Sequence, residues 1–267
     1  MAGVSVVDRL RPIGRHPKIE PHVSRALRAA LTDAPARFFL NDLRGTAGRY
    51  RVRATGQHVR LEHGTPDVAT FDQTYYRHDH QPPERADAAL AALGPLRVLD
   101  AGANIGMWSL WIAHRYPIAS LTAIEPVARN IGALRANLAA NLPAGDWSIV
   151  EAAATTSDGE LSFGGADTTR GHIGGQGSTV AATDLFGLLE GIDLLKLDIE
   201  GGEWAIVADP RWDALSVPVV MLEHHPLDAP GVPAASAEQA LRRAGYACER
   251  TAGETDGTGV LWGVRTA

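Results

Sequence analysis

Five ionisable side chains stand where two short apolar runs end. Asp198 and Glu200 follow Leu194-Leu-Lys-Leu197, and Glu223, His224 and His225 follow Val219-Val-Met-Leu222. Carboxylates and imidazoles grouped in this way can take a proton from a hydroxyl or orient one another for that step. Oxygen and imidazole ligands also suit Mg²⁺ or Mn²⁺, but no compact ligand spacing requires an ion, and no metal is expected.

A second group supplies a binding surface. Arg97-Val-Leu-Asp-Ala-Gly-Ala-Asn-Ile-Gly106 reads as a buried strand breaking into a glycine turn and then a helix. In such a nucleotide-binding turn, Gly102 and Gly106 let the backbone approach a ligand, and the helix offers free N–H groups. Leu121-Thr-Ala-Ile-Glu125-Pro126 adds a strand ending in a carboxylate 23 positions after Gly102, the place of a ribose-binding acid. Ala103 and Asn104 replace the middle of the dinucleotide pattern, and Asp100 precedes the first glycine. A carboxylate there repels a pyrophosphate but suits the cationic amino-acid portion of S-adenosylmethionine, so the methyl donor is expected over NAD. Asn104 is read as a donor contact or a helix cap. Glu151 and Ala153, at the end of the third strand, are placed to border an adenine.

These groups must be carried by regular elements. Past Pro82-Pro83 and a helix at 84–93, apolar runs and helical patterns alternate: strands at 97–101, 120–125, 147–153, 193–199 and 217–223, with helices at 105–115, 127–140, 184–190, 203–208 and 235–244. Alternation of this kind predicts a parallel sheet covered by helices on both faces. Tyr246-Ala-Cys-Glu-Arg-Thr251 and Thr258-Gly-Val-Leu-Trp-Gly-Val-Arg-Thr266 predict a closing hairpin. Ahead of the prolines, a helix at 20–32 and a hairpin around Thr55-Gly56-Gln57 form a small α+β cap, giving a cap at 1–83 and a catalytic domain at 84–267. Six glycines in 164–177 predict a mobile loop, a substrate cover or plain solvent loop. Tyr75, Tyr76, His78 and His80 stand before the catalytic domain, where they fold over the donor pocket or pack cap against body.

In order, Asp100-Ala-Gly-Ala-Asn-Ile-Gly106, Glu125-Pro126, the helix carrying Asn137, Thr183-Asp184-Leu185, Leu195-Lys-Leu-Asp-Ile-Glu-Gly-Gly-Glu203 and Leu222-Glu-His-His225 resemble the FkbM-type family of S-adenosylmethionine-dependent methyltransferases. The resemblance covers roughly residues 67 to 226, with Gly202 where the family more often has alanine and His224 where an aliphatic residue is usual. It implies a Rossmann-like class I sheet, mostly parallel with an antiparallel closing hairpin, and O-methylation of a sugar or natural-product hydroxyl. It places Asp100, Gly102, Ala103, Asn104, Gly106, Glu125, Pro126, Glu151, Ala153 and Asp198 at the donor. His225, matching the family's Glu-x-His piece, becomes the candidate general base, with Asp198 and Glu200 beside it. A structural histidine held by Asp198 or Glu223 is the other reading. Tyr75, Tyr76, Glu223 and His224 are candidate acceptor contacts, and Lys196 a buried ion-pair partner. Two rival readings are a nicotinamide oxidoreductase and a non-catalytic binder of S-adenosylmethionine.

Composition narrows the partners. The 267 residues carry a net charge of -6, but residues 1–60 hold 12 Arg and Lys against 4 Asp and Glu, leaving 13 against 27 for the rest. The basic segment is read as an arginine-rich arm on its own acidic domain, or as a surface for an anionic substrate or for the acidic body of a partner subunit in a homodimer. Nucleic acid is not expected, since the body is acidic and no aromatic series interleaves with the arginines. A single cysteine, Cys248, excludes an internal disulfide. No apolar run approaches a membrane span, so a small hydroxylated metabolite and a cytoplasmic location are expected.

Overall fold

Apolar β-branched and leucine-rich runs set the frame, because strands buried on both faces must be apolar throughout. The computed structural model describes residues 20–142, 145–164, 172–173, 178–225, 235–253 and 258–266. The chain divides into two units after His78.

In the first unit, helices α1 (Glu20–Ala30) and α2 (Pro35–Arg44) precede the antiparallel hairpin β1 (Ala47–Arg51) and β2 (His58–Glu62). Helix α3 (Asp67–Phe71) runs into a π-helical turn, Asp72–Arg77. Helix α2, not foreseen from the sequence, has Pro35 in its first turn and Gly45 in the left-handed region at its end, the usual asymmetry of helix boundaries. Phe38, Tyr50, Phe71 and Tyr75 form an aromatic core with centroid spacings of 5.1 to 5.9 Å. Arg28 grips Asp72 through two bonds of 2.8 and 2.9 Å, and Arg25 pairs with Asp42. Part of the basic excess is thus matched inside this unit.

The second unit starts with α4 (Glu84–Ala92), followed by β3 (Leu96–Ala101), α5 (Met107–Arg115), β4 (Ile118–Ile124), α6 (Ala128–Asn141) and β5 (Trp147–Val150). After β6 (Ala153–Thr155), β7 (Gly159–Gly164), β8 (His172–Ile173) and β9 (Ser178–Asp184) come β10 (Leu194–Leu197), α7 (Glu203–Ala208), β11 (Val219–His224), α8 (Ala235–Arg243), β12 (Tyr246–Gly253) and β13 (Gly259–Arg265). Seven strands form the main sheet in the order β12-β13-β11-β10-β3-β4-β5. Strand β13 is antiparallel to both neighbours, and β11, β10, β3, β4 and β5 run parallel. This is the Rossmann-like sheet expected, with its hairpin folded so that the last strand enters between β11 and β12.

Two expectations are corrected. The single strand at 147–153 breaks after Val150, and Ala153 begins β6, which leaves the main sheet for a second one ordered β6-β9-β7-β8. The helix expected at 184–190 is a 3₁₀ turn, Leu185–Leu188, capped by the Asp184 carboxylate accepting from Phe186 N at 3.2 Å. Of the glycine-rich stretch 164–177, only Gly164, His172 and Ile173 lie inside the described residues. Among the described residues no helix is long and apolar enough to cross a membrane.

Candidate active site

Register builds the site. Ala101 pairs with Ile124 and Leu197, and Leu197 with Leu222. The next residue on each strand is therefore Gly102, Glu125, Asp198 or Glu223, four positions at one level on the carboxyl edge. Open parallel sheets bind ligands along that edge.

The glycine turn is held from inside. Gly102, Asn104 and Gly106 all have left-handed φ, at 82°, 51° and 83°. A Cβ on Gly102 would lie 1.7 Å from the Asp198 carbonyl oxygen, and one on Gly106 would lie 2.7 Å from Leu134 Cδ1. The backbone contact makes Gly102 a requirement of the fold itself, whereas at Gly106 the neighbour is the end of a flexible side chain. Asn137, buried on α6, donates to the Ile105 carbonyl at 2.7 Å and fixes the end of the turn. Ala103 is buried and shares the Ile124 carbonyl with Gly102.

Asp100 does not open towards a ligand. Its fully buried carboxylate accepts from Ser109 Oγ at 2.5 Å and pairs with Lys196 Nζ at 3.2 Å. The charge argument from Asp100 is corrected accordingly: its field is spent on Lys196. That ammonium also reaches Asp198 Oδ2 at 3.0 Å and the Gly102 carbonyl at 2.9 Å, tying the turn to β10. Glu125 is buried as well; it accepts from Asn104 N and Val127 N at 2.9 Å each, and from Asn130 Nδ2 at 3.2 Å. Burial pushes its carboxyl up to about 7 against those three bonds. Pro126 is half-buried beside it. Glu151 stands level with Glu125 but is exposed and paired with Arg135 at 2.7 Å, while Ala153 is buried in the second sheet.

Past β10 the chain turns at Glu200, whose φ is 58°. Glu203, at the start of α7, is buried and accepts from Ile199 N at 2.7 Å and Gly201 N at 2.8 Å, which shapes that turn. His225 lies across from it. Its Nδ1 stands 3.3 Å from Glu203 Oε1, and its Nε2 stands 3.4 Å from Glu200 Oε2 and 3.9 Å from Glu223 Oε1. Burial opposes a charged imidazole, but Glu203 and the carboxylates around it push the ring up to about 10. The carboxylates around His225 thus favour its charged form, and Glu200 beside it is a second candidate for the base. Glu200 is raised to about 8 by burial and by Asp198, and its side chain is 37% exposed. Asp198 is also raised, by burial first.

Glu223 faces this cluster, whereas its neighbour does not. His224 is buried over Gly259, its Nε2 accepting from Arg250 Nη1 at 3.1 Å. Burial and the Arg250 charge lower its pKa, and its ring lies 6.2 Å from that of Trp204. Tyr75 and Tyr76 are buried too, and Tyr75 packs on Phe71 and donates to Gln57 Oε1 at 3.0 Å. Asp198, Glu203 and His225 bring three ligand-type atoms within 4.8 Å of one another. Those atoms are engaged already, by backbone N–H groups, Lys196 and one another. Glu203 was passed over in the sequence, although a glutamate opening a helix after Gly201-Gly202 is a legible signal for a carboxylate bound to backbone N–H groups.

Residues 100–248 match the family model described as the methyltransferase FkbM domain. No curated protein sequence matches the chain. Among solved structures, a methyltransferase FkbM from Methylobacillus flagellatus KT is similar at 14% identity over 63% of this chain and 43% of that one, with a TM-score of 0.47. The chain thus spans under half of that protein. A precorrin-6y C5,15-methyltransferase from Geobacter metallireducens GS-15 shares 18% identity over 68% and 87%, with a TM-score of 0.42. A magnesium protoporphyrin IX methyltransferase from Synechocystis PCC 6803, with bound S-adenosylmethionine, shares 18% over 74% and 85%, with a TM-score of 0.41.

Proposed function

We propose that this chain, which belongs to the FkbM methyltransferase family, transfers the methyl group of S-adenosylmethionine to a hydroxyl oxygen of a small sugar-like or natural-product acceptor. The observation that supports this most is the level edge formed by Gly102, Glu125, Asp198 and Glu223, which puts a donor turn beside an ionisable cluster. Methyl transfer is an in-line displacement at a sulfonium carbon, so alignment supplies much of the acceleration. When bound, S-adenosylmethionine supplies the electrophilic methyl group. The turn Gly102–Gly106 and Glu125 hold it, with one acceptor position of the Glu125 carboxylate left after its three protein bonds.

Glu200 is the general base in this reading. It stands half-exposed at the mouth of the cluster, and its raised pKa is close to neutrality, as an efficient base requires. His225 carries the opposite charge against it, and Glu203 fixes the imidazolium.

Calorimetry with S-adenosylmethionine, S-adenosylhomocysteine and NAD tests the donor. Binding of the first two without NAD is expected; binding of NAD alone would overturn the assignment. Radiolabelled methyl transfer into a panel of hydroxylated metabolites then tests the acceptor class, and label found on nitrogen or carbon would refute it.

A further inference from the structure

The family match begins at residue 100, yet one imidazole of the cluster comes from before it. His80 Nε2 donates to Glu223 Oε2 at 2.7 Å, across 143 positions of sequence. Both side chains are more than nine-tenths buried. His80 Nδ1 is buried and has no hydrogen-bond partner among the described residues. A histidine kept for packing alone normally satisfies both ring nitrogens. Here the ring is fixed through Glu223 only, and the other nitrogen is left unpaired.

We propose that His80 is a positioning residue for methyl transfer: it keeps Glu223 an anion turned towards His225, so that the acceptor side of the site holds negative charge facing the reacting methyl group. The inference rests on reading the strand-end cluster as the acceptor site. Burial by itself would favour a neutral Glu223, and the His80 imidazolium overrides it, holding the carboxyl down to about 2. The other charged groups around His80 are Asp198 and Lys196, which oppose each other in their effect on its ring. Without His80, the buried Glu223 carboxylate loses its one cation at hydrogen-bond distance among the described residues, keeps only His225 at 3.9 Å, and takes up a proton.

The test needs no acceptor. S-adenosylhomocysteine and its aminated analogue sinefungin differ at the transferable position, where sinefungin carries an ammonium. The ratio of their affinities, by calorimetry at pH 7.5, therefore reads the charge in front of the methyl group. His80→Gln should reduce the preference for sinefungin by about fivefold or more, the scale of one partly buried charge. Glu223→Gln should do the same, and the double variant should add nothing further. An unchanged or increased preference in His80→Gln overturns the inference, because loss of a mere spectator cation makes the site more negative. Thermal unfolding of each variant shows whether it is folded, and His80→Lys, which restores the charge, should recover the preference if His80→Gln is poorly folded. If the unaltered protein binds neither analogue, the donor reading fails and the inference falls with it.

Discussion

At the residue scale, the charge of each ionisable group follows from the carboxylates and cations packed against it, Lys196 for Asp100 and Glu203 for His225. His225 was readable as a candidate base from its type and position. That three carboxylates surround it, and favour its charged form, depends on Glu200 and Glu203 of the turn after β10 meeting Glu223 of β11. Likewise Asp100 was legible as an acid before a glycine turn, but which way it faces is decided by Lys196 and Ser109. The assignment of the base has a signed consequence. A base works when deprotonated, so turnover should rise with pH through about 8, the value of the Glu200 carboxyl. Glu200→Gln should abolish that limb and lower turnover by about 10²–10⁴. A pH–rate profile with an accepted hydroxyl substrate decides this; a limb near 6.5 that disappears in His225→Ala would return the role to the histidine.

At the element scale the βα alternation was legible because each parallel strand is a nearly unbroken apolar run closed by a glycine or a charge. The second sheet was not, since β7 and β9 carry mixed polar residues and a glycine-rich stretch between them masks their pairing. Helix α2 does carry a legible pattern, with Ala36, Phe39, Leu40 and Leu43 at i, i+3, i+4 and i+7, although that face is exposed and Phe38 is the residue that enters the core. The two turn glycines also looked equivalent in sequence and are not. At Gly102 a Cβ meets a backbone carbonyl at 1.7 Å, whereas at Gly106 it meets the end of the Leu134 side chain. Both substitutions to alanine incur the left-handed strain of about 1–2 kcal/mol. Gly106→Ala should lower the melting temperature modestly and retain donor binding. Gly102→Ala should unfold or lose S-adenosylhomocysteine binding, because the backbone of β10 has no room to yield; equal melting temperatures for the two would contradict this contact.

At the scale of the whole molecule, the ionisable groups set a pH range of stability. Glu125, Glu200 and His225 are all raised in the fold, to about 7, 8 and 10. Each contributes stability that is present below its unfolded pKa and is lost as pH rises through its folded one. Glu223 is lowered to about 2, so its contribution is present above the ordinary carboxylate range and is lost as pH falls towards 2. The ligand-free protein should therefore melt highest on the mildly acid side of neutrality and less stably towards pH 9. Scanning calorimetry from pH 4 to 9 checks this, and a stability maximum at alkaline pH would contradict it.

The placement of β13 has a consequence for synthesis. Although β12 precedes it in the chain, β12 reaches the main sheet only through β13, which lies between β12 and β11. While a ribosome is still making residues 259–265, the parallel strands can assemble but β11 presents an unpaired edge. An open edge of buried apolar residues is a template for pairing with another chain. The nascent protein thus passes through an interval of exposure that lasts until β13 has emerged, and a message cut short before Gly259 would leave that edge open.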